Sequence, residues 1–295
     1  MKTLIIANPR SGDFSEEHIK LIKDKFASSE IFYTNTKGDA EELALKANAD
    51  VIFSCGGDGT FNEVANGILR SDKKRVLVYC PMGTGKDYGR SIGIGSWEEL
   101  YSALRDFNVA DLDAVLLEGP GVIRYFVNAF DIGVGPRISA FLESHKRMGQ
   151  TAIKVGLFLM LLRVKRFYAN VSCDGKKSGS RTIELIAGNG RYLGGGIKVA
   201  PLSYLNDGLL DIYIINPYGP LSTIQKVRTI YDGSYIEKGY GKHLVCSEAI
   251  LDAGTVDFEI DGELYRGTKL KLLVKKASLR VLVNRKKAEA LSATI

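Results

Sequence analysis

The chain has no run of about 18 consecutive apolar residues, so no transmembrane helix is expected. The apolar stretch that precedes Pro9 is too short for a secretory signal and reads as an opening strand. Cysteine is scarce, with four residues at 55, 80, 173 and 246 and no Cys-x-x-Cys pair. The three histidines, at 18, 145 and 243, lie far from one another. That spacing offers no zinc site, and four reduced thiols fit a cytosolic protein. No strong charge of one sign is present either: forty Lys and Arg stand against thirty-four Asp and Glu, a net of +6. Basic stripes interleaved with aromatics are missing, which argues against a nucleic-acid surface. The mild excess is compatible with nucleotides or with an anionic membrane face. Internal repeats and low-complexity segments are absent, which excludes a solenoid.

What is present suits two domains. A length of 295 residues with 45% hydrophobic content is enough for two sizeable cores. Residues 1–108 alternate strand-like and helix-like segments, with strands expected at 3–7, 31–33, 51–54 and 76–79. Helical periodicity falls at 19–26, 40–47, 61–69 and 97–107. Alternation of this kind predicts a mostly parallel sheet covered on both faces, with ligands at the carboxyl ends of its strands. From 109 to 283 the pattern changes to short strands, expected at 113–117, 123–129, 168–173, 182–187, 210–215, 256–260, 269–274 and 279–283. The fold class expected is therefore an α/β N-terminal domain followed by a β-rich, sandwich-like C-terminal domain. The tail, 284–295, is expected to pack back on the first domain. Residues 149–162 are apolar nearly all round with basic ends. A packed helix is the plainer reading of that segment, and contact with lipid is the other.

The densest signal is Cys55-Gly56-Gly57-Asp58-Gly59-Thr60, between a buried-strand pattern and a helical one. Glycines permit a sharp turn and close approach of backbone to a ligand. Bare amides and the helix dipole at the following helix start favour an anion. A carboxylate at Asp58 beside phosphates implies an intervening Mg²⁺. The same residues are also ordinary turn chemistry, so this loop alone does not decide between the two. A second loop, Pro81-Met82-Gly83-Thr84-Gly85-Lys86-Asp87-Tyr88, is no Walker A motif, because Cys80 and Asp87 stand where Gly and Ser or Thr are required. Tyr88 in the last position also breaks the dinucleotide glycine spacing.

Taken together, several motifs resemble the diacylglycerol kinase catalytic-domain family, in its bacterial lipid-kinase branch. They are Asn8-Pro-x-Ser-Gly12, Gly56-Gly-Asp-Gly-Thr60 with Asn62-Glu63, and Pro81-x-Gly-Thr-Gly85-x-Asp87. Further along come Asn189-Gly190-Arg191 with Gly194-Gly195-Gly196, Leu205-Asn206-Asp207-Gly208-Leu209, and Ile260-Asp261-Gly262-Glu263. The likeness covers nearly the whole chain. It implies a two-domain kinase that transfers the γ-phosphoryl of ATP to a lipid hydroxyl, diacylglycerol or a relative, with its site between the domains. It further implies nucleotide contacts at Asn8, Thr34, Gly56, Gly57, Asp58, Gly59, Thr60, Phe61, Asn62 and Thr84. Asp58 would act through Mg²⁺ on the β- and γ-phosphates, and Glu263 would be the general base. A structural Mg²⁺ would sit on Asp207 with the carbonyls of Tyr204 and Leu209. The expected partner is a lipid at the membrane surface, reached from the cytoplasm, in a phospholipid-biosynthetic role; a homodimer is left open. Two rivals remain at this stage, an NAD-kinase-like enzyme of soluble substrates and a lipid-binding regulator without turnover. One departure from the family stands out: Lys86 replaces the usual Asn, which leaves the role of that loop open.

Overall fold

Three apolar runs become adjacent parallel strands because each is buried on both faces, and a fourth, half-exposed segment pairs at the edge. In the computed structural model, which describes residues 2–71, 73–145, 155, 159–160 and 164–292, these are β1 (Thr3–Ala7), β2 (Ser29–Tyr33), β3 (Val51–Gly56) and β4 (Val76–Pro81). They are ordered β4-β3-β1-β2, all parallel. The register pairs Ala7 with both Tyr33 and Cys55, and Gly56 with Pro81. Four strand ends are therefore level, and the loops that follow them emerge along one rim. Helices α1 (Glu16–Lys25), α2 (Asp39–Lys46), α3 (Asp58–Leu69), α4 (Asp87–Ile92) and α5 (Trp97–Asp106) intervene. Ile5, Ile6, Phe53, Val64 and Leu77 are among the fully buried side chains of this first core.

The rest of the chain is mainly antiparallel: β5 (Val109–Gly119), β6 (Val122–Phe126), β7 (Ala129–Gly133), β8 (Phe167–Cys173), β9 (Lys176–Thr182), β10 (Glu184–Gly188), β11 (Leu210–Ile215), β12 (Gly241–Cys246), β13 (Glu248–Ile260) and β14 (Glu263–Leu282). Helix α6 (Val134–Ser144) follows β7, and α7 (Pro220–Tyr231) follows β11. Phe126, Phe130, Phe258 and Leu272 belong to a second core in this half. Two strands expected at 269–274 and 279–283 are one, β14, interrupted by a register shift between Lys275 and Leu279. The cause is local. Buried Asp113 accepts from Ala277 N at 2.7 Å and from Gly208 N at 2.6 Å, and Ala277 takes a positive φ of 51°. Past this bulge β14 pairs in parallel with β4, so one strand hydrogen-bonds to both halves. Residues 284–292 follow it; Asn284 N donates to Ile92 O and Ala290 N to Ser91 O. Of the apolar segment 149–162, all but Val155, Leu159 and Met160 lie outside the described residues. Among the described residues no helix is long and apolar enough to cross a membrane.

Buried polar struts lock the halves together. The turn from β13 to β14 is Asp261-Gly262, with φ of 46° and 89°, the two positive angles that a two-residue hairpin of type I′ requires. Asp261 points inward. It accepts from Val127 N (2.8 Å), Asn128 N (3.0 Å), Ala129 N (2.8 Å) and Asn62 Nδ2 (2.7 Å). Asp87 does the same elsewhere on the seam, accepting from Gly195 N at 2.8 Å and Gly196 N at 2.7 Å. Asn66 completes the set, accepting from Tyr125 N and donating to Tyr125 O, both at 2.9 Å.

Burial pushes the Asp261 carboxyl up to about 6, against the pull of its four donors. An unfolded Asp titrates near 3.9, roughly, so between these values the fold holds a proton that the unfolded chain has lost. This group's contribution to stability is therefore full below about pH 4 and is lost as pH rises through about 6. We expect the urea midpoint of the wild type to fall, relative to that of Asp261→Asn, between about pH 4.5 and about pH 6.5. Parallel midpoints for the two proteins across that range would contradict the assignment.

Candidate active site

Along the rim, short backbone bonds hold the loops in place. Asn8 N donates to Cys55 O at 2.9 Å and Thr34 N to Ala7 O at 2.9 Å, so both loops begin where the strands stop. Asn8 Nδ2 then reaches Thr60 Oγ1 at 3.2 Å, and Asn8 Oδ1 accepts from Arg10 N at 2.9 Å. The two glycine loops touch through backbone alone: a Cβ on Gly83 would sit 2.5 Å from Gly57 Cα. Helix α3 starts at Asp58 behind Gly57, which caps it without a side chain, leaving first-turn amides open to an anion.

These loops enclose a cleft of about 260 Å³. Asn8, Thr34, Gly59 and Thr60 line it from the first half, and Glu263 reaches it from the tip of the β13–β14 hairpin. Arg10, Lys37 and Glu63 line it too. Glu263 Oε2 accepts from Tyr265 Oη at 2.7 Å and lies 3.2 Å from Lys37 Nζ and 3.9 Å from Arg124 Nε. Glu63 is a second carboxyl in the same hollow. Burial raises its pKa, and the Glu263 charge adds to that, while the amides of Gly38 and Ala40 pull the other way.

Other residues expected to hold a nucleotide point elsewhere. Asp58 is not among the lining residues. Its carboxylate accepts from Asp87 N (3.2 Å), Tyr88 N (3.4 Å) and Tyr79 Oη (3.2 Å), so it caps α4 and steadies the Pro81–Asp87 loop. Burial raises its pKa despite those donors. Glu63, which neighbours the Asn62 strut, is the carboxyl that lines this hollow together with Glu263. Phe61 is buried against the rings of Tyr79 and Tyr88, with centroids at 5.3 and 4.5 Å, and serves the core. Asn62 is a strut to Asp261 and Tyr125 O. Gly56, Gly57 and Thr84 shape the neighbouring loops without lining the cleft; Thr84 is exposed. Arg124 and Tyr265 carried no sequence signal. Glu63 had one as part of the Asn62-Glu63 motif, and Lys37 lies three residues after Thr34.

Asp207 lies away from the cleft, in the turn that Asp113 grips. It accepts from Leu209 N at 2.9 Å, and its pKa is raised by burial and by the nearby Asp211 and Asp113. A half-buried carboxylate is the kind of oxygen donor that Mg²⁺ takes. Among the described residues no group of three or more His, Cys, Asp or Glu is arranged as a metal cage.

Comparison with known proteins bears on the family and the fold. Residues 2–116 match the diacylglycerol kinase catalytic domain, and residues 131–283 match the YegS C-terminal NAD kinase beta sandwich-like domain. A probable lipid kinase YegS-like protein of Pseudomonas aeruginosa is 26% identical over 292 residues, covering 95% of this chain and 93% of its own. A diacylglycerol kinase of Bacillus subtilis is 28% identical over 257 residues, 83% of this chain and 82% of its own. Among solved structures, a putative diacylglycerol kinase from Bacillus anthracis superposes with a TM-score of 0.77 at 24% identity, covering 97% and 96% of the two chains. An NAD kinase from Archaeoglobus fulgidus, solved in complex with ATP, shares the fold at a TM-score of 0.53 and 15% identity, over 97% and 95%. The chain belongs to the lipid kinase family that joins a diacylglycerol kinase catalytic domain to a YegS-type β-sandwich domain.

Proposed function

We propose that the cleft takes the triphosphate of ATP and that the protein transfers its terminal phosphoryl group to a lipid hydroxyl, of diacylglycerol or a related single-hydroxyl lipid. One observation carries this reading. Helix-start residues Gly59 and Thr60 of one half and the Glu263 carboxylate of the other meet in a single hollow. The acceptor oxygen forms a bond to phosphorus as the bond to the β-phosphate oxygen breaks; ADP leaves, and the hydroxyl proton passes to Glu263. Phosphoryl transfer needs alignment and charge neutralisation more than covalent help. Amides at the start of α3, with Arg10 and Lys37 on the cleft wall, supply positive potential. Mg²⁺, when bound with the nucleotide, neutralises the phosphates. Asp58 serves this reading from behind the cleft, by holding the Pro81–Asp87 loop. A second Mg²⁺, on Asp207 with the Tyr204 and Leu209 carbonyls, has a structural part. A lipid acceptor requires work at a membrane face from the cytoplasmic side, and phosphorylated lipid is a phospholipid precursor.

The decisive test is incubation with labelled ATP, Mg²⁺ and a total lipid extract, with NAD as a competing acceptor and the product identified by mass. A phosphorylated lipid is expected; label on NAD alone, or on nothing, ends the proposal. Glu263→Ala should lower turnover by about 10²–10⁴-fold while ATP binding persists. Near-normal turnover in that variant would show that another group takes the proton. For the structural metal, Mg²⁺ should raise the melting temperature of the wild type and not that of Asp207→Ala, since only a folded-state site gains from ligand binding. An equal rise in both proteins places the ion elsewhere.

A further inference from the structure

Three groups crowd one oxygen of Glu263. Tyr265 Oη donates to Oε2 at 2.7 Å, Lys37 Nζ is paired with it at 3.2 Å, and the charged Arg124 Nε lies 3.9 Å away. Among the described residues no donor meets Oε1. We propose that Lys37, Arg124 and Tyr265 are positioning residues that hold Glu263 by Oε2, so that Oε1 is the atom that accepts the substrate proton. The inference rests on the reading of Glu263 as general base and specifies how that base is held.

Each of the three is fixed differently. Glu263 and Tyr265 stand two residues apart on β14, hence on the same face of the strand. The Tyr265 ring stacks on Phe258 with centroids 5.7 Å apart, so its hydroxyl has little freedom. Burial raises the Tyr265 pKa, and the hydrogen bond to Glu263 raises it further, so the phenol stays a donor. Arg124 is pinned at its far end, donating through Nη1 to Glu41 Oε2 and through Nη2 to Asn62 Oδ1, both at 3.0 Å. Its Nε is buried without a hydrogen-bond partner, and the nearest carboxylate oxygen recorded for it is Glu263 Oε2. Lys37 is the mobile member: its side chain is 69% exposed, and its ammonium lies 5.9 Å from the centre of the Tyr265 ring.

A carboxylate oxygen offers about two lone-pair directions, so Tyr265 and Lys37 together fill Oε2. Glu263 lines the cleft, and no hydrogen bond from the described residues to its other oxygen is recorded. A base works only within hydrogen-bond reach of its proton, so fixing one oxygen aims the other. None of the three residues lies in the glycine motifs, and none touches the first-turn residues of α3 through a recorded hydrogen bond. Tyr265 and Arg124 are not among the lining residues of the cleft, so their effect on the reaction runs through Glu263, whereas Lys37 also stands on the cleft wall.

The test is a double-mutant cycle on lipid phosphorylation, using Tyr265→Phe, which removes one hydroxyl and keeps the ring. In the wild-type background we expect kcat to fall about tenfold to a hundredfold, the size of one hydrogen bond to a charged group, with KM for ATP unchanged. In the Glu263→Gln background the same substitution should cost nothing further, because residues acting as a unit are not additive. Lys37→Met should lower kcat less, and Lys37→Arg should restore it. If Tyr265→Phe multiplies its loss onto Glu263→Gln, or leaves kcat untouched while Glu263→Gln is inactive, the positioning role is overturned. If Glu263→Gln keeps wild-type turnover, the base reading itself fails. Matched melting curves for Tyr265→Phe and the wild type exclude a folding defect as the cause.

Discussion

The cleft depends on one buried carboxylate. Asp261 is withdrawn from water and ringed by three main-chain amides of residues 127–129 and by the Asn62 amide. An unpaired polar group in that setting costs several kcal/mol, roughly, so all four bonds must form together. The tip of the β13–β14 hairpin is thereby held to α3 within the tolerance of a hydrogen bond. Glu263 stands two residues beyond Asp261, and Glu63 one residue beyond Asn62. The pair of residues that closes the junction therefore also sets the spacing of the two carboxyls in the cleft.

The rest of the seam repeats this logic with different partners. Asp87 gathers the amides of Gly195 and Gly196, and Asp58 gathers those of Asp87 and Tyr88. Asn189, fully buried, donates to Asp113 O and Val127 O, while Asp113 holds the β14 bulge. Each strut joins loops that are distant in sequence, and breaking any of them strands a buried polar group. A seam built this way fixes a particular geometry more than it adds net stability, since desolvation offsets much of the hydrogen-bond energy. Most of the acidic and amide residues in the motifs are thus engaged with backbone, and the cleft receives few of them.

Legibility in the sequence followed the physics of burial. Strands β1, β3 and β4 could be read because both faces are covered, which leaves continuous apolar runs such as Val51–Gly56. Strand β9, with the sequence KKSGSRT, has no apolar alternation to detect; it exists because the Asp174-Gly175 turn folds it onto β8. The early half of β13 was missed likewise, as was β12, whose residues are mostly half-exposed. At the site, Glu263 was expected from the family resemblance, since an Asp-Gly pair by itself reads as an ordinary hairpin turn. The block Gly56 through Asn62, expected as a whole to meet the nucleotide, has side chains that part in different directions, for a geometric reason. The block crosses from strand to helix at Asp58, and successive helical side chains turn by about 100°. Gly59 and Thr60 therefore face the cleft, Asp58 and Phe61 face the α4 loop and the core, and Asn62 meets the other half. A motif specifies residue types; the helix decides which of them see the ligand.

Lys86 follows the same rule. It occupies the left-handed region, with φ of 57°, at the N-cap of α4. Asn tolerates that conformation better than other residues with a Cβ, which accounts for an Asn preference on backbone grounds alone. Lysine keeps the conformation, and Lys86 O still accepts from Arg90 N at 3.0 Å. Its ammonium is engaged by Asp13 at 2.9 Å, in a half-exposed pair worth about 0–1 kcal/mol. The added charge thus ties the loop after β4 to the loop after β1, at the rim of the cleft, and the shape of the loop comes from its backbone and from Asp58 beneath it.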